Sequence, residues 1–266
     1  MESPYRKDLL AGQVALVTGG GTGICRGIAG ALAAHGADVA IVSRSLEHTE
    51  PAAREIESGG RRAMSLAADV RDPVAVERAV ASVIERFGRL DIVVNGAAGN
   101  FLCKAEDLSP NGFGSVVDID LKGTFHVSRA AFPHLRERGG SILNISATLH
   151  YLGTPAQLHV SAAKAGVDAL TRNLAVEWGP YGIRVNGIAP GPIDGTEGVK
   201  RLLVGRMRDW VLRQCPLGKL GEVEDVSRAA LYLCSDAASF VNGVTLVVDG
   251  GLWLAGNRMA AAASEG

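Results

Sequence analysis

The chain has 266 residues, 47% of them hydrophobic, and its 27 basic and 28 acidic residues leave a formal net charge of −1. That balance sets up no field to attract nucleic acid or an acidic membrane surface, and no uninterrupted apolar stretch is long enough to span a bilayer. Cys25, Cys103, Cys215 and Cys234 are scattered without a CxxC pair, which fits reduced thiols in a cytosol better than disulfides or a metal site. Met1–Leu10 carries Glu2, Arg6, Lys7 and Asp8 and no apolar core, so it does not read as a secretory signal. The expectation is a single domain over residues 1–266.

Gln13–His35 reads as a strand, a glycine-rich turn and a helix. Val14-Ala15-Leu16-Val17 is a short apolar run suited to a strand buried on both faces. Thr18-Gly19-Gly20-Gly21-Thr22-Gly23 breaks it, and Ile24, Ile28, Ala29, Leu32 and Ala33 resume at helical spacing. Glycines in such a turn let backbone N–H groups crowd a pyrophosphate, and the helix behind points its positive end at the same anion. An ordinary glycine-rich loop would not need a strand before it and a helix after it, so a dinucleotide site is expected. Cys25 stands at the last small position of the pattern, where a small side chain serves helix–strand packing. The second strand, Ala37–Val42, ends at Ser43-Arg44-Ser45. An acidic residue at that tip would select a free ribose 2′-hydroxyl, whereas Arg44 between two hydroxyls suits a 2′-phosphate.

A helix over Thr49–Ser58, a strand at Ala63–Ala68 and a helix over Val74–Phe87 follow, the last with Asp72 as N-cap and Pro73 at its first position. Leu90–Val94 is the fourth strand. Asn95-Gly96-Ala97-Ala98-Gly99-Asn100-Phe101-Leu102 leaves it, with small residues that admit a flat ring and an Asn100 amide that can donate. A helix is expected from about Gly112 to Glu137, a fifth strand over Ser141–Ile145 and a helix from about Ala156 to Trp178. Ile183–Ile188 is a sixth strand, residues 196–214 a mobile helical lid, Glu222–Cys234 a helix and Gly243–Val248 a seventh strand. The alanine-rich stretch from Ala260 reads as a frayed tail. Strands alternating with helices predict an α/β fold: a doubly wound, parallel, seven-stranded sheet flanked by helices, of the Rossmann type, with ligands at the strands' carboxyl ends.

In order and spacing, Thr18–Gly23, Asn95–Ala98, Ser146, Lys164, Pro190–Thr196 and Asp249-Gly250-Gly251 resemble the short-chain dehydrogenase/reductase family over nearly the whole chain. The family's usual catalytic tyrosine sits four residues before the lysine, and here that position is Val160, which cannot donate a proton. Gly99-Asn100-Phe101-Leu102, Asp118-Ile119-Asp120 and Leu158–Lys164 resemble the 2,4-dienoyl-CoA reductases of the peroxisomal type, which likewise lack the tyrosine. Ordinary family members carry asparagine where Asp120 stands.

The resemblance implies NADPH-dependent reduction of 2,4-dienoyl-CoA to 3-enoyl-CoA in β-oxidation of unsaturated fatty acids, an acyl-CoA substrate, no metal and a homotetramer. Asn100 would bond the thioester oxygen, Asp120 would take part in proton delivery, and Lys164 would hold the nicotinamide ribose. Gly19, Gly21, Thr22, Gly23, Ile24, Ser43, Arg44, Ser45, Ala97, Pro190 and Gly191 would line the cofactor site. Asp69, Val70 and Asn95 would line its adenine pocket, and Ile193 and Thr196 its nicotinamide end. Arg44, Arg71, Phe101, Ser109, Asn111 and Arg201 would touch the acyl-CoA, although Ser109 and Asn111 also read as a helix cap. His159, adjacent to Val160, is expected to face away from Lys164. Two other readings stay open: a carbonyl or 3-oxoacyl reductase using Tyr151 as donor, and a non-catalytic NADP(H)-binding sensor. The ending Ser264-Glu265-Gly266 is no peroxisomal address, so a cytoplasmic location is expected.

Overall fold

The computed structural model describes residues 3–202 and 206–255, without the side chains of residues 201, 202, 206 and 207. Seven parallel strands, β1 (Val14–Thr18), β2 (Asp38–Ser43), β3 (Ala63–Ala67), β4 (Ile92–Asn95), β5 (Gly140–Ile145), β6 (Ile183–Pro190) and β7 (Thr245–Val248), form one sheet in the order β3-β2-β1-β4-β5-β6-β7. β1 lies between β2 and β4, with Leu16 beside both Ala40 and Val93. The chain reverses its direction of travel across the sheet at that point, which opens a crevice at the carboxyl ends.

Period-2 alternation along β1 feeds two cores. Ala15 and Val17 pack with α1 (Gly23–Ala34), α2 (Leu46–Ser58) and, further along the chain, the helix at Val223–Cys234. Val14 and Leu16 face the other layer: α3 (Pro73–Phe87) and the helices at Gly123–Leu135 and Leu158–Trp178. The caps explain where the helices start. Asp72 accepts from the amides of Val74 and Ala75 ahead of α3, with Pro73 at its first turn.

The helix expected from Thr49 begins at Leu46, behind the Ser45 cap, and two further elements differ. The helix expected over 112–137 begins earlier and is interrupted: α4 (Pro110–Val117), a π-helical turn at Asp118–Lys122, then α5 (Gly123–Leu135). Ser109 caps α4 and Pro110 fits its first position, which moves the start. The wide turn sets Asp120 inward and Gly123 against the chain at Val70, where a Cβ would fall 2.6 Å from Val70 Cγ2. The expected lid is two helices, α7 (Glu197–Leu202) and α8 (Arg206–Gln214), and Val199 and Val211 pack with Leu220 beneath them. The two remaining long helices are α6 (Leu158–Trp178) and α9 (Val223–Cys234), the latter opened by a capping box between Glu222 and Asp225. The tail from Ala260 lies outside the described residues.

Candidate active site

The glycine turn is shaped by what presses on it. Gly19 (φ +68°) and Gly23 (φ +55°) take left-handed backbone that other residues disfavour. A Cβ on Gly19 would lie 2.8 Å from the Gly96 carbonyl oxygen, and one on Gly21 2.8 Å from His48 Cβ. Thr18 ties the turn to the loop after β4: its Oγ1 accepts from the amides of Gly96 (3.0 Å) and Ala97 (3.3 Å). Cys25 is buried and its Sγ would sit 2.0 Å from a Cβ on Gly96, so this cysteine is the packing wedge between α1 and the end of β4. Burial pushes its thiol up to about 12, which keeps it protonated and inert.

Thr22 stands at the N-cap of α1 without bonding any amide, and no acidic residue lies in the first turn. The helix therefore offers its free N–H groups and positive end to an anion. At the tip of β2, Ser43 Oγ donates to the Ser45 carbonyl and Ser45 Oγ caps α2. Arg44 between them is exposed and makes no salt bridge among the described residues. The turn, the uncapped helix and this unpaired guanidinium fit a dinucleotide carrying a 2′-phosphate.

Asp69 is gripped by Arg71 through bonds of 3.0 and 2.6 Å, which hold its carboxyl below the ordinary range. Val70 is fixed from below, its carbonyl 2.9 Å from His126 Nδ1. Asn95 sits differently from expectation. Its side chain is buried and turned inward, donating to Ser128 Oγ (2.9 Å) and Asn144 Oδ1 (2.8 Å), so only its main chain is left to line an adenine pocket. Ile193 likewise points its side chain into the core, and Thr196 Oγ1 donates to the Ile193 carbonyl at 2.7 Å.

Asp120 and Lys164 meet at the mouth of β4 and β5. Asp120 is 1% exposed and Lys164 6%. Asp120 Oδ1 accepts from the Gly99 amide at 2.8 Å, so the π-turn buttresses the segment that carries Asn100. Lys164 Nζ lies 3.0 Å from Asp120 Oδ2 as an ion pair and also donates to the Ile145 carbonyl at 2.9 Å. Apart from that ion pair Oδ2 has no partner among the described residues. Asn100, next along, is exposed, and its amide bonds no other described residue. Val160 is 3% exposed and packs with Val116 and Ala163, so no polar group replaces the missing tyrosine at its own position.

Tyr151 does not take the tyrosine's place either. Its hydroxyl donates to Asp168 Oδ2 at 3.1 Å, and burial, then the Asp168 charge, push it up to about 12. Asp168 is a buried hub that also accepts from Ser146 Oγ (2.6 Å) and Thr245 Oγ1 (3.2 Å), with His150 Nε2 at 2.8 Å. The sequence reasoning passed over this hub. Its one signal is spacing, since Asp168 follows Lys164 by four residues on a helix and therefore shares its face. Tyr151→Phe is expected to leave steady-state turnover within about threefold while lowering stability by about 1 kcal/mol, read by denaturant unfolding.

Of the expected acyl-CoA contacts, Ser109 is spent as the α4 cap, its Oγ accepting from the Gly112 amide at 3.1 Å. Asn111 and Phe101 are exposed nearby, Arg71 is held on Asp69, and the Arg201 side chain lies outside the described residues.

The profile of a family described as Enoyl-(Acyl carrier protein) reductase matches residues 19–253. A peroxisomal 2,4-dienoyl-CoA reductase [(3E)-enoyl-CoA-producing] of Arabidopsis thaliana is 50% identical over 268 residues, covering 97% of this chain and 90% of that one. The chain belongs to the short-chain dehydrogenase/reductase family. It is an oxidoreductase of that family with a nicotinamide-cofactor site. Among solved structures, a putative short-chain alcohol dehydrogenase from Sinorhizobium meliloti superposes with a TM-score of 0.90 at 35% identity, covering 93% of this chain and 99% of that one. A gluconate 5-dehydrogenase from Burkholderia cenocepacia, solved in complex with NADP and tartrate, gives a TM-score of 0.88 at 35% identity, covering 92% and 97%. The family's seven-stranded architecture is thus shared, and the departures from its common chemistry sit at Val160 and Asp120.

Proposed function

We propose that this chain reduces 2,4-dienoyl-CoA to 3-enoyl-CoA with NADPH. The observation that carries the proposal is the buried Asp120–Lys164 pair beside an unpaired Asn100 amide, in a site whose tyrosine position is filled by packed Val160. The similarity to a reductase named for this reaction supports it. Bound NADPH would supply a hydride, which a conjugated dienoyl thioester accepts at its δ carbon. Electrons then shift along the conjugation to the thioester oxygen, giving a dienolate. Asn100 donates to that oxygen, and one preorganised donor of this kind is worth roughly 3 kcal/mol of barrier. Lys164 holds the nicotinamide ribose, and Asp120 fixes Lys164 and relays the proton that ends at the α carbon. Protonation there leaves the double bond between the β and γ carbons, which is the 3-enoyl product. A ketone reduction would need an acidic hydroxyl beside the carbonyl, and Tyr151 is committed to Asp168.

The cofactor half rests on Arg44, exposed at the tip of β2, whose guanidinium can pair bidentately with a 2′-phosphate. Arg44→Asp is expected to weaken NADPH binding at least tenfold more than NADH binding, measured by fluorescence titration of both. Equal losses would remove the assignment. The same reading gives a role in β-oxidation of unsaturated fatty acids and a homotetramer, with Phe113 and Phe125 exposed on α4 and α5 as candidate contact residues. Among the described residues no helix is long and apolar enough to cross a membrane. NADPH oxidation with 2,4-dienoyl-CoA, 2-enoyl-CoA and 3-oxoacyl-CoA tests the reaction class. The first should dominate, and a preference for 3-oxoacyl-CoA would overturn the proposal.

A further inference from the structure

At the start of α6, three buried polar atoms have no hydrogen-bond partner: Oε1 of Gln157 and both ring nitrogens of His159. Gln157 is the N-cap residue of α6 but its side chain caps nothing, and His159 is 0% exposed. Buried polar groups are nearly always paired, because each gave up its water to enter the interior. Three orphans within three residues mark a place where a partner is brought from outside.

What covers them points to that partner's route. The Phe101 ring lies over His159 with centroids 4.3 Å apart, tilted by 38°. Phe101 is itself 39% exposed, and it directly follows Asn100, the residue assigned to the thioester oxygen. The Cys103 amide bonds the Ala156 carbonyl at 3.0 Å, so this segment is tied down just before Gln157. The orphaned atoms therefore lie under the segment that a thioester must pass, beneath one aromatic ring with an open side.

The donor and acceptor inventory narrows the ligand. A neutral imidazole offers one N–H and one acceptor nitrogen, and Oε1 of Gln157 offers an acceptor. A secondary amide presents one N–H and one carbonyl, which complement the imidazole N–H and the Oε1 of Gln157 and leave the second ring nitrogen to water. The arm of an acyl-CoA carries such an amide two methylenes from its thioester sulfur. We propose that Gln157 and His159 form the subsite for this amide, uncovered when Phe101 turns aside. The inference rests on the acyl-CoA reading above and adds the group that the arm presents. Anchoring the amide fixes how far the thioester reaches toward Asn100, so these are specificity residues for the thioester's carrier and not for its acyl chain.

The test is calorimetric binding of two saturated thioesters to the NADP⁺-loaded protein: hexanoyl-N-acetylcysteamine, which keeps the amide, and S-ethyl thiohexanoate, which lacks it. His159→Leu should weaken the first about tenfold and leave the second unchanged, with His159→Gln recovering part of the loss. The melting temperature of His159→Leu should not fall, because an apolar side chain replaces an unpaired buried one. Should His159→Leu fail to fold, Gln157→Met reads the same contrast. Equal weakening of both thioesters, no weakening of either, or no binding of the amide-bearing one by the unaltered protein would overturn the subsite. These binding measurements need no turnover. A protein that shows the contrast yet reduces no dienoyl-CoA would count against the proposed reaction alone.

Discussion

Asp120→Ala is expected to lower turnover of a dienoyl-CoA about a hundredfold while NADPH affinity stays within about twofold. Affinity should hold because Lys164 keeps its bond to the Ile145 carbonyl when its carboxylate partner is gone. Turnover should fall because the dienolate must be protonated, and Asp120 Oδ2 has no partner among the described residues other than the Lys164 ammonium at 3.0 Å. On the proposed reading the proton is relayed through a water, because a carboxylate placed directly against a dienolate would repel it. The competing role is a scaffold, since Oδ1 also holds the Gly99 amide. Asp120→Asn separates the two: an amide oxygen can still accept from Gly99 but cannot relay a proton. A relay predicts that the asparagine variant is as slow as the alanine variant, with an altered solvent isotope effect on single-turnover rates. Recovery of most activity in Asp120→Asn, or poor NADPH binding with normal protonation in Asp120→Ala, would make the residue a scaffold.

Asn100→Ala should cost a comparable amount by a different route, about 10²–10³ in kcat with little change in KM. The Asn100 amide has no competing partner among the described residues, so it is not stabilising the resting fold. Its position is set from behind, through Gly99 on Asp120. Charge builds on the thioester oxygen only as the hydride adds, so a donor there stabilises the transition state more than bound substrate. Stopped-flow loss of NADPH absorbance in a single turnover isolates that step. A variant whose hydride step slows less than threefold would move the oxyanion role to another donor. Loss in KM with kcat unchanged would make Asn100 a binding residue only.

What could be read ahead of the structure divides along physical lines. The strand–turn–helix at Val14–Ala34 was legible because its glycines are forced: Gly19 and Gly23 need left-handed backbone, and Gly19 and Gly21 have no room for a Cβ. Asp72-Pro73 announced α3 because cap chemistry is local. The roles of Asp120 and Lys164 come from family resemblance and not from pattern, and the structure adds their ion pair and the Gly99 amide as a third member. The π-turn that aims Asp120 escaped sequence reasoning, because it depends on Gly123 packing against Val70, more than fifty residues away. Asn95 was placed correctly at the end of β4, yet its amide turns inward, since Ser128 and Asn144 wait on α5 and β5. Tyr151 reads as a donor in sequence because nothing local announces Asp168, which gathers groups from the end of β5, the following loop and β7. Such convergence is tertiary and leaves no local period to detect.

The most direct test of the proposed reaction is the fate of the proton. A 2,4-dienoyl-CoA reduced in D2O with NADPH should give 3-enoyl-CoA carrying one deuterium at the α carbon, with an unlabelled hydrogen delivered to the δ carbon, as read by NMR and mass spectrometry of the product. A 2-enoyl product with deuterium at the γ carbon, or no product at all, would contradict the account.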